Sequence, residues 1–480
     1  MASEHSIFDA YVIGSGPNGL SSAIALAQQG LKVKIFEAKD SVGGGTRTLE
    51  LTESGFKHDI CSAVHPTAVS SPFFNTLPLQ KFGLEWIHPA FPLAHPLENN
   101  EALIVERSLE ATLSRFDKDA KNYKKLFNDF INSWEDLSED LFGTLRIPKH
   151  PLSMMRFGWY GMFSAKLLAD SFFKTERAKA YFCGLAAHSI LPLENAFTSS
   201  FGLVLGTTVH SSGWPIAKGG SHSITKALAA LLESLGGEIE LNTRIETLDQ
   251  LPPNKPVLFD LTPRQIITIA ENKLSKSLKD KLLNYQYGPG AYKMDFALSE
   301  PVPWLNEDCK KTGTLHLGGS MKEIMHSERE VWKGIHSDKP YVIVSQPSIF
   351  DGTRAPKGKH TLWAYCHVPN GSTENMNEQI IAQIERYAPG FRDTVISYSG
   401  MTAMDFEKYN SNYIGGDING GAQNLKQLFG RPLFKWDPYK LPVDHLYICS
   451  SSTPPGGGVH GMCGFNAAQS VLKNEFGINS

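Results

Sequence analysis

The feature that most constrains this chain is the run FDAYVIGSGPNGL, residues 8–20, with LKVKIFE, residues 31–37, one helix-length further on. FDAYVI reads as a buried strand, GSGPNG as a turn, LSSAIALAQQG as a helix and LKVKIF as a second strand that closes on Glu37. A GxGxxG spacing alone is a weak sign. Between a strand and a helix, with an acid ending the next strand, it marks a dinucleotide site. Gly14 permits the tight exit from the strand, Gly16 lets a pyrophosphate approach the backbone, and Gly19 lets the helix lie close to the sheet. The helix start offers unpaired N–H groups and a positive dipole end to phosphates. Glu37 can accept hydrogen bonds from ribose hydroxyls and its charge opposes a 2′-phosphate, so FAD or NAD fits better than NADP. The competing explanation is a glycine turn in an unrelated α/β protein.

The segment after Glu37 separates the two dinucleotides. EAKDSVGGGTR carries a second glycine cluster, Gly43, Gly44 and Gly45, and then Arg47, whose guanidinium could reach the same pyrophosphate. On these residues the chain resembles the FAD-dependent amine oxidase and phytoene desaturase superfamily, in which both glycine segments contact FAD. Residues 404–421, MDFEKYNSNYIGGDINGG, resemble the phytoene dehydrogenase-like branch containing pyridine nucleotide-disulfide oxidoreductase domain-containing protein 2. The disulfide in that name has no counterpart here, because none of the six cysteines forms a CxxC pair.

The resemblance implies an FAD-binding Rossmann-like α/β domain assembled from discontinuous segments, with a second α+β substrate domain. The expected cofactor stretches are 1–75, 213–285 and 410–480. The expected substrate stretches are 76–212, helical, and 286–409, a sheet. It places Ile245, near the end of a strand that begins at about Glu238, against the adenine. It places the C-terminal turn PPGGGVHGM, with Gly457, Gly458, Val459 and Met462, beside the flavin, and the last helix reads as starting at about Val459. Ser450 stands where the family commonly has an acid after the last strand; a hydroxyl can still bond the ribityl chain. A three-stranded meander typical of the family is reduced here to DQLPPNKPV, residues 249–257.

His65 and His460 are the candidates for proton exchange, with loop orientation as the alternative role of each. The aromatic and methionine-rich run 154–173 reads either as ordinary helical core or as the wall of a long apolar pocket. Met154, Met155, Phe157, Trp159 and Phe163 are its candidates for pocket-facing positions. His316 and His367 have no partner spacing that demands a metal, and no HExxH motif is present.

Composition bounds the rest. Forty-six basic against 49 acidic residues give a formal charge of −3, which argues against nucleic acid as a partner. No run of about 18 apolar residues could span a bilayer, and no charged region followed by an apolar signal core opens the chain. Scattered cysteines suit a reducing compartment. The expectation is a cytoplasmic flavoprotein, with contact to a membrane surface and the external electron acceptor left open. Its expected chemistry is desaturation, saturation or isomerisation of carbon–carbon bonds in a long apolar polyene, isoprenoid or lipid. Flavin amine oxidation is the first alternative, and an FAD-binding assembly protein with little turnover is the second.

Overall fold

The computed structural model describes residues 8–144 and 146–478; the outer ends of the first and last expected stretches, 1–7 and 479–480, lie outside them. A five-stranded parallel sheet has the order Leu446–Ile448, Val257–Phe259, Ala10–Ile13, Val33–Phe36, Glu238–Glu240. Its strands thus come from three separated parts of the chain. Helix Pro17–Ala27 follows the first strand and is buried along almost its whole length, as a parallel sheet covered on both faces requires. The last helix, Met462–Phe476, crosses it so closely that a Cβ on Gly464 would sit 1.8 Å from the Asn18 carbonyl oxygen. Only glycine permits that approach.

A second sheet has seven strands, in the order Val395–Met401, Gly290–Leu298, His360–Val368, Val342–Ser345, Thr312–Leu317, Phe91–Pro96, Ala102–Val105. Every pairing is antiparallel except Thr312–Leu317 with Phe91–Pro96. Side chains alternate across it with a period of two. On one face Tyr292, Met294 and Phe296 join Val342, Val344, Leu362 and Ala364 in an apolar core, with Ile380 and Ile384 of helix Asn377–Tyr387. On the other face, Lys293, Tyr365, Ile343 and His316 fall in one row across four neighbouring strands. A layer of helices that includes Pro151–Gly161, Glu176–Ala186 and Thr198–Ser211 lies over this second face.

Three expectations need correction. The stretch 76–212 is not purely helical: it supplies two strands of the second sheet, Phe91–Pro96 and Ala102–Val105. Pro92 and Pro96 obscure the first, but they sit at its two ends, where a missing N–H costs the ladder little. Ile245 is not at a strand end, because that strand stops at Glu240. The C-terminal helix begins at Met462 rather than near Val459. Residues 241–256 hold only a short 3-10 turn, Leu248–Gln250, and no strand, so the meander is indeed reduced.

Candidate active site

Between the two sheets lies a cavity of about 720 Å³. One wall is backbone: Gly16 from the first glycine turn, Gly44 and Gly45 from the second, and Gly457 and Gly458 from the C-terminal turn. These glycines are forced. A Cβ on Gly45 would meet the Tyr413 hydroxyl at 2.2 Å, and Gly44 has φ +54° where its loop crosses Gly16. The opposite wall is the second sheet, through Ala291, Lys293, Thr314, Ile343, Trp363 and Tyr365. The helical layer closes the third side with Met154, Phe157, Phe201, Val204 and Leu205.

Seven of the expected cofactor residues meet on this cavity: Gly16, Gly44, Gly45, Ser450, Gly457, Gly458 and Val459. The others stand behind it. Gly14 and Gly19 hold the turn together, since a Cβ on Gly19 would lie 2.1 Å from the Gly14 carbonyl oxygen. Gly43, with φ +141°, closes against Arg47. Glu37 accepts hydrogen bonds from the Ser15 N–H (2.9 Å) and hydroxyl (2.6 Å) and lies 3.3 Å from Arg47. Arg47 donates to the carbonyl oxygens of Ser41 and Gly44, so its donors brace the second glycine loop rather than point into the cavity. Ile245 is buried with Phe8 and Phe36 in a separate apolar cluster. Met462 starts the last helix behind the wall.

Neither histidine nominated for proton exchange reaches the cavity wall. The His65 ring is buried beside Trp86, with centroids 5.8 Å apart, and burial pushes its pKa down to about 4. His460 Nδ1 accepts the Met462 N–H at 3.0 Å, which leaves Nε2 to donate to the Gly456 carbonyl at 3.2 Å. It clasps the C-terminal turn. Of the aromatic run, Met154 and Phe157 face the cavity. Met155 and Trp159 point outward, 68% and 63% exposed. Phe163 packs edge-on to Trp159 instead of lining the wall.

The ionisable groups at the site come from the second sheet, from the short strand His58–Asp59 and from the end of strand Val257–Phe259. Lys293 is buried at the cavity wall and forms an ion pair with Asp295. Burial raises the Asp295 pKa to about 6, against the pull of Lys293. His58 lies behind, 3.5 Å from Asp295; burial and the charges of Lys293 and Arg354 push it down to about 3, so it is neutral. Asp59 next to it binds Arg354 and accepts from Thr48 and Ser221. Burial would raise its pKa, but these partners hold it below the usual carboxylate value. That single carboxylate joins three distant parts of the chain. Asp260, at the end of strand Val257–Phe259, accepts the Gly19 N–H at 3.1 Å; burial, and more weakly Glu37, lift it to about 7. Asn412 clamps this corner by donating to the Asp260 carbonyl and accepting the Thr262 N–H, both at 3.0 Å. Among the described residues no group of His, Cys, Asp and Glu is placed to hold a metal.

The model of the flavin containing amine oxidoreductase family matches residues 18–461. The chain belongs to that family. It is 25% identical to pyridine nucleotide-disulfide oxidoreductase domain-containing protein 2 of Mus musculus, over 97% of this chain and 94% of that protein. It is 22% identical to a lycopene-forming phytoene desaturase of Pantoea ananas, over 97% and 98%. A solved structure of a putrescine oxidase variant superposes with a TM-score of 0.63 at 16% identity, covering 98% of this chain and 99% of that one. The chain is therefore an FAD-dependent oxidoreductase. The residues present fit the cofactor: a cavity wall made of glycine backbone, in which a Cβ at Gly16 or Gly45 would collide at 2.5 or 2.2 Å with the Asp260 carboxylate or the Tyr413 hydroxyl. No helix among the described residues is long and apolar enough to cross a membrane.

Proposed function

We propose that this flavoenzyme acts on a carbon–carbon bond of a long apolar substrate, held in the part of the cavity between the helical layer and the second sheet. The observation that carries this reading is the two-sided helix Pro151–Gly161. Met154, Phe157, Gly158 and Gly161 line the cavity at the spacing of one helical face, while Leu152, Met155 and Trp159 make an apolar outer face. An apolar lining on one side and an apolar exterior on the other suit a substrate that is taken from a lipid surface, because such a molecule has little solubility in water. We assign the glycine wall to FAD, with Glu37 on the ribose, Ile245 on the adenine side and Arg47 as the brace of the second loop. In this assignment the parts 1–75, 213–285 and 410–480 act as the cofactor side and 76–212 and 286–409 as the substrate side.

FAD supplies two-electron chemistry when bound. The chain's own residues grip and align the substrate: the aromatic and methionine side chains exclude water, and Trp363 and Tyr365 border the space beside Lys293. Among the described residues Lys293 is the cationic side chain of the sheet wall, and it and Asp295 are the pair placed there to hold or release a proton.

Flavin amine oxidation is the second reading. It is favoured by the family description and by the Trp363–Tyr365 ring pair, whose centroids lie 5.0 Å apart on the wall next to Lys293. Anaerobic mixing of the FAD-loaded protein with polyenes, long-chain lipids and amines, following flavin bleaching and product mass, separates the two. Bleaching by a polyene or lipid, with a product altered at a carbon–carbon bond, supports the main reading. Bleaching by amines alone replaces it with the second.

A further inference from the structure

Three arginines are buried among the described residues: Arg47, Arg354 and Arg431. Arg47 lies 3.3 Å from Glu37, and Arg354 is paired with Asp59. Arg431 makes no ion pair among the described residues. Its guanidinium has neutral partners alone: Nη1 donates to Gln423 Oε1 at 2.8 Å, and Nη2 donates to the Tyr285 hydroxyl at 3.1 Å and the Gly421 carbonyl at 3.2 Å. Burial pushes the Tyr285 pKa up, so that hydroxyl carries no charge. Nε is buried without a partner. The carboxylate of Asp417 lies within the field of Arg431, but its own oxygens accept the N–H groups of Gly288 at 2.7 Å and Asn419 at 2.8 Å. A guanidinium keeps its charge in a protein interior. Buried without a carboxylate in contact, it is strongly destabilising unless something else answers that charge.

Arg431 stands directly behind the C-terminal turn. A Cβ on Gly456, which has φ +107°, would lie 2.5 Å from Nη1, and Pro455 and Gly457 on either side of that glycine line the cavity. Gln423 lines the cavity as well. Its segment lies along the turn, since a Cβ on Gly457 would meet Asn419 Oδ1 at 2.8 Å. A guanidinium can only donate, so the Gln423 amide must present its oxygen to Arg431 and its Nε2 donor elsewhere. Nε2 makes no hydrogen bond among the described residues and is not among the sealed atoms. Gln423 is otherwise buried, so the space open to that donor is the cavity.

We infer that Gln423 and Arg431 together favour negative charge on the flavin end of the cofactor and so raise its midpoint potential. Gln423 is the contact, donating from Nε2 to an acceptor of the flavin ring. Arg431 is the positioning residue, which fixes the amide and adds its charge through it. This rests on the assignment of the glycine wall to FAD: with Glu37 on the ribose, the first turn takes the adenosine end and the C-terminal turn takes the flavin. The oxidised ring is neutral, whereas reduction adds electron density to its acceptor atoms. A fixed donor backed by a cation in a low-dielectric wall therefore holds the reduced form more tightly than the oxidised one.

The test is the midpoint potential of the FAD-loaded protein, measured against reference dyes, with titration of the oxidised cofactor alongside. Gln423→Leu should lose about tenfold in the preference for reduced over oxidised FAD, a fall of about 30 mV for a two-electron couple. Arg431→Met should lower the potential at least as far, and Arg431→Lys, which keeps the charge, should restore part of it. If Arg431→Met does not fold, the decision falls to Gln423→Leu, whose own potential must drop. An unchanged or raised potential in Gln423→Leu overturns the inference. So does weaker binding of oxidised FAD at unchanged potential in the Arg431 variants, which would give the charge to the diphosphate. Glu37→Gln tests the underlying assignment separately: it should weaken FAD binding and leave the potential alone. Unaltered FAD affinity in that variant removes the assignment, whatever the potentials of the others.

Discussion

The two walls of the cavity are built on opposite plans. The glycine wall, assigned above to FAD, is backbone: its shape comes from glycines that cannot carry a Cβ. The sheet wall is side chain: Lys293, Thr314, Trp363 and Tyr365 come from three strands far apart in sequence. A backbone wall tolerates almost no substitution, whereas a side-chain wall can change its chemistry one residue at a time without disturbing the fold. Under the proposed assignment, FAD recognition and substrate choice are carried by parts that can vary independently.

The sharpest way to break this contrast is to add one side chain behind the backbone wall. Gly464→Val would drive a side chain into the Asn18 carbonyl where the first and last helices cross, and should cost about 4 kcal/mol or more. Chemical denaturation of the variant checks it; near-normal stability would show that the crossing is looser than described. Next is the junction between the two plans. Arg354→Ala leaves Asp59 buried without its cation and should cost about 3 kcal/mol. Thermal unfolding measures it, and the double variant with Asp59→Ala should lose much less than the sum of the two single losses.

A smaller effect concerns pH at the cofactor wall. Asp260 titrates at about 7 in the fold against an ordinary 3.8, so the folded state favours its neutral form. Its stabilising contribution is complete below the ordinary value and is lost as pH rises through about 7. The neighbouring charges are Glu37, whose negative charge works in the same direction, and Arg47, which is paired with Glu37. Ionised Asp260 at the helix start also opposes a diphosphate, so FAD should bind about tenfold more weakly at about pH 8 than at about pH 6. Asp260→Asn should flatten that dependence. FAD titration at the two pH values decides it, and an unchanged slope in the variant would clear Asp260 of the role. The smallest expected effect is Trp159→Ser on the outer face of the two-sided helix. Stability should stay within about 0.5 kcal/mol while sedimentation with phosphatidylcholine vesicles falls; equal sedimentation would remove the lipid-surface contact.

The same contrast explains which parts of the molecule are legible in the chain alone. Gly14 to Gly19, Gly43 to Gly45 and the C-terminal glycines are local signals, because a turn that must approach a phosphate or another backbone leaves its mark within a few residues. Through the family resemblance that they carry, these signals implied a Rossmann-like domain assembled from discontinuous segments. The strand Phe91–Pro96 was not legible, since its partner Thr312–Leu317 lies over 200 positions away and its prolines resemble a loop. The roles of Asp59 and Asp260 were not legible for the same reason: each depends on partners such as Arg354 and Gly19 that only the fold brings near. His65 and His460 stand next to glycine motifs in sequence, yet neither lines the cavity: His65 packs on Trp86 and His460 clasps the C-terminal turn, the loop-holding role that the sequence left open as the alternative for each.

One cavity joins the glycine wall to an apolar chamber, so with FAD at that wall, as proposed, a ligand in the chamber must be felt by the flavin. The direct measurement is the absorbance difference spectrum of the FAD-loaded protein on adding a long-chain ligand, in the native chain and in Phe157→Asp. A saturable perturbation of the flavin bands is expected in the native protein, with its loss in the variant at unchanged FAD content. A ligand that binds without altering the flavin spectrum, or a variant that keeps the full perturbation, would contradict the joined cavity.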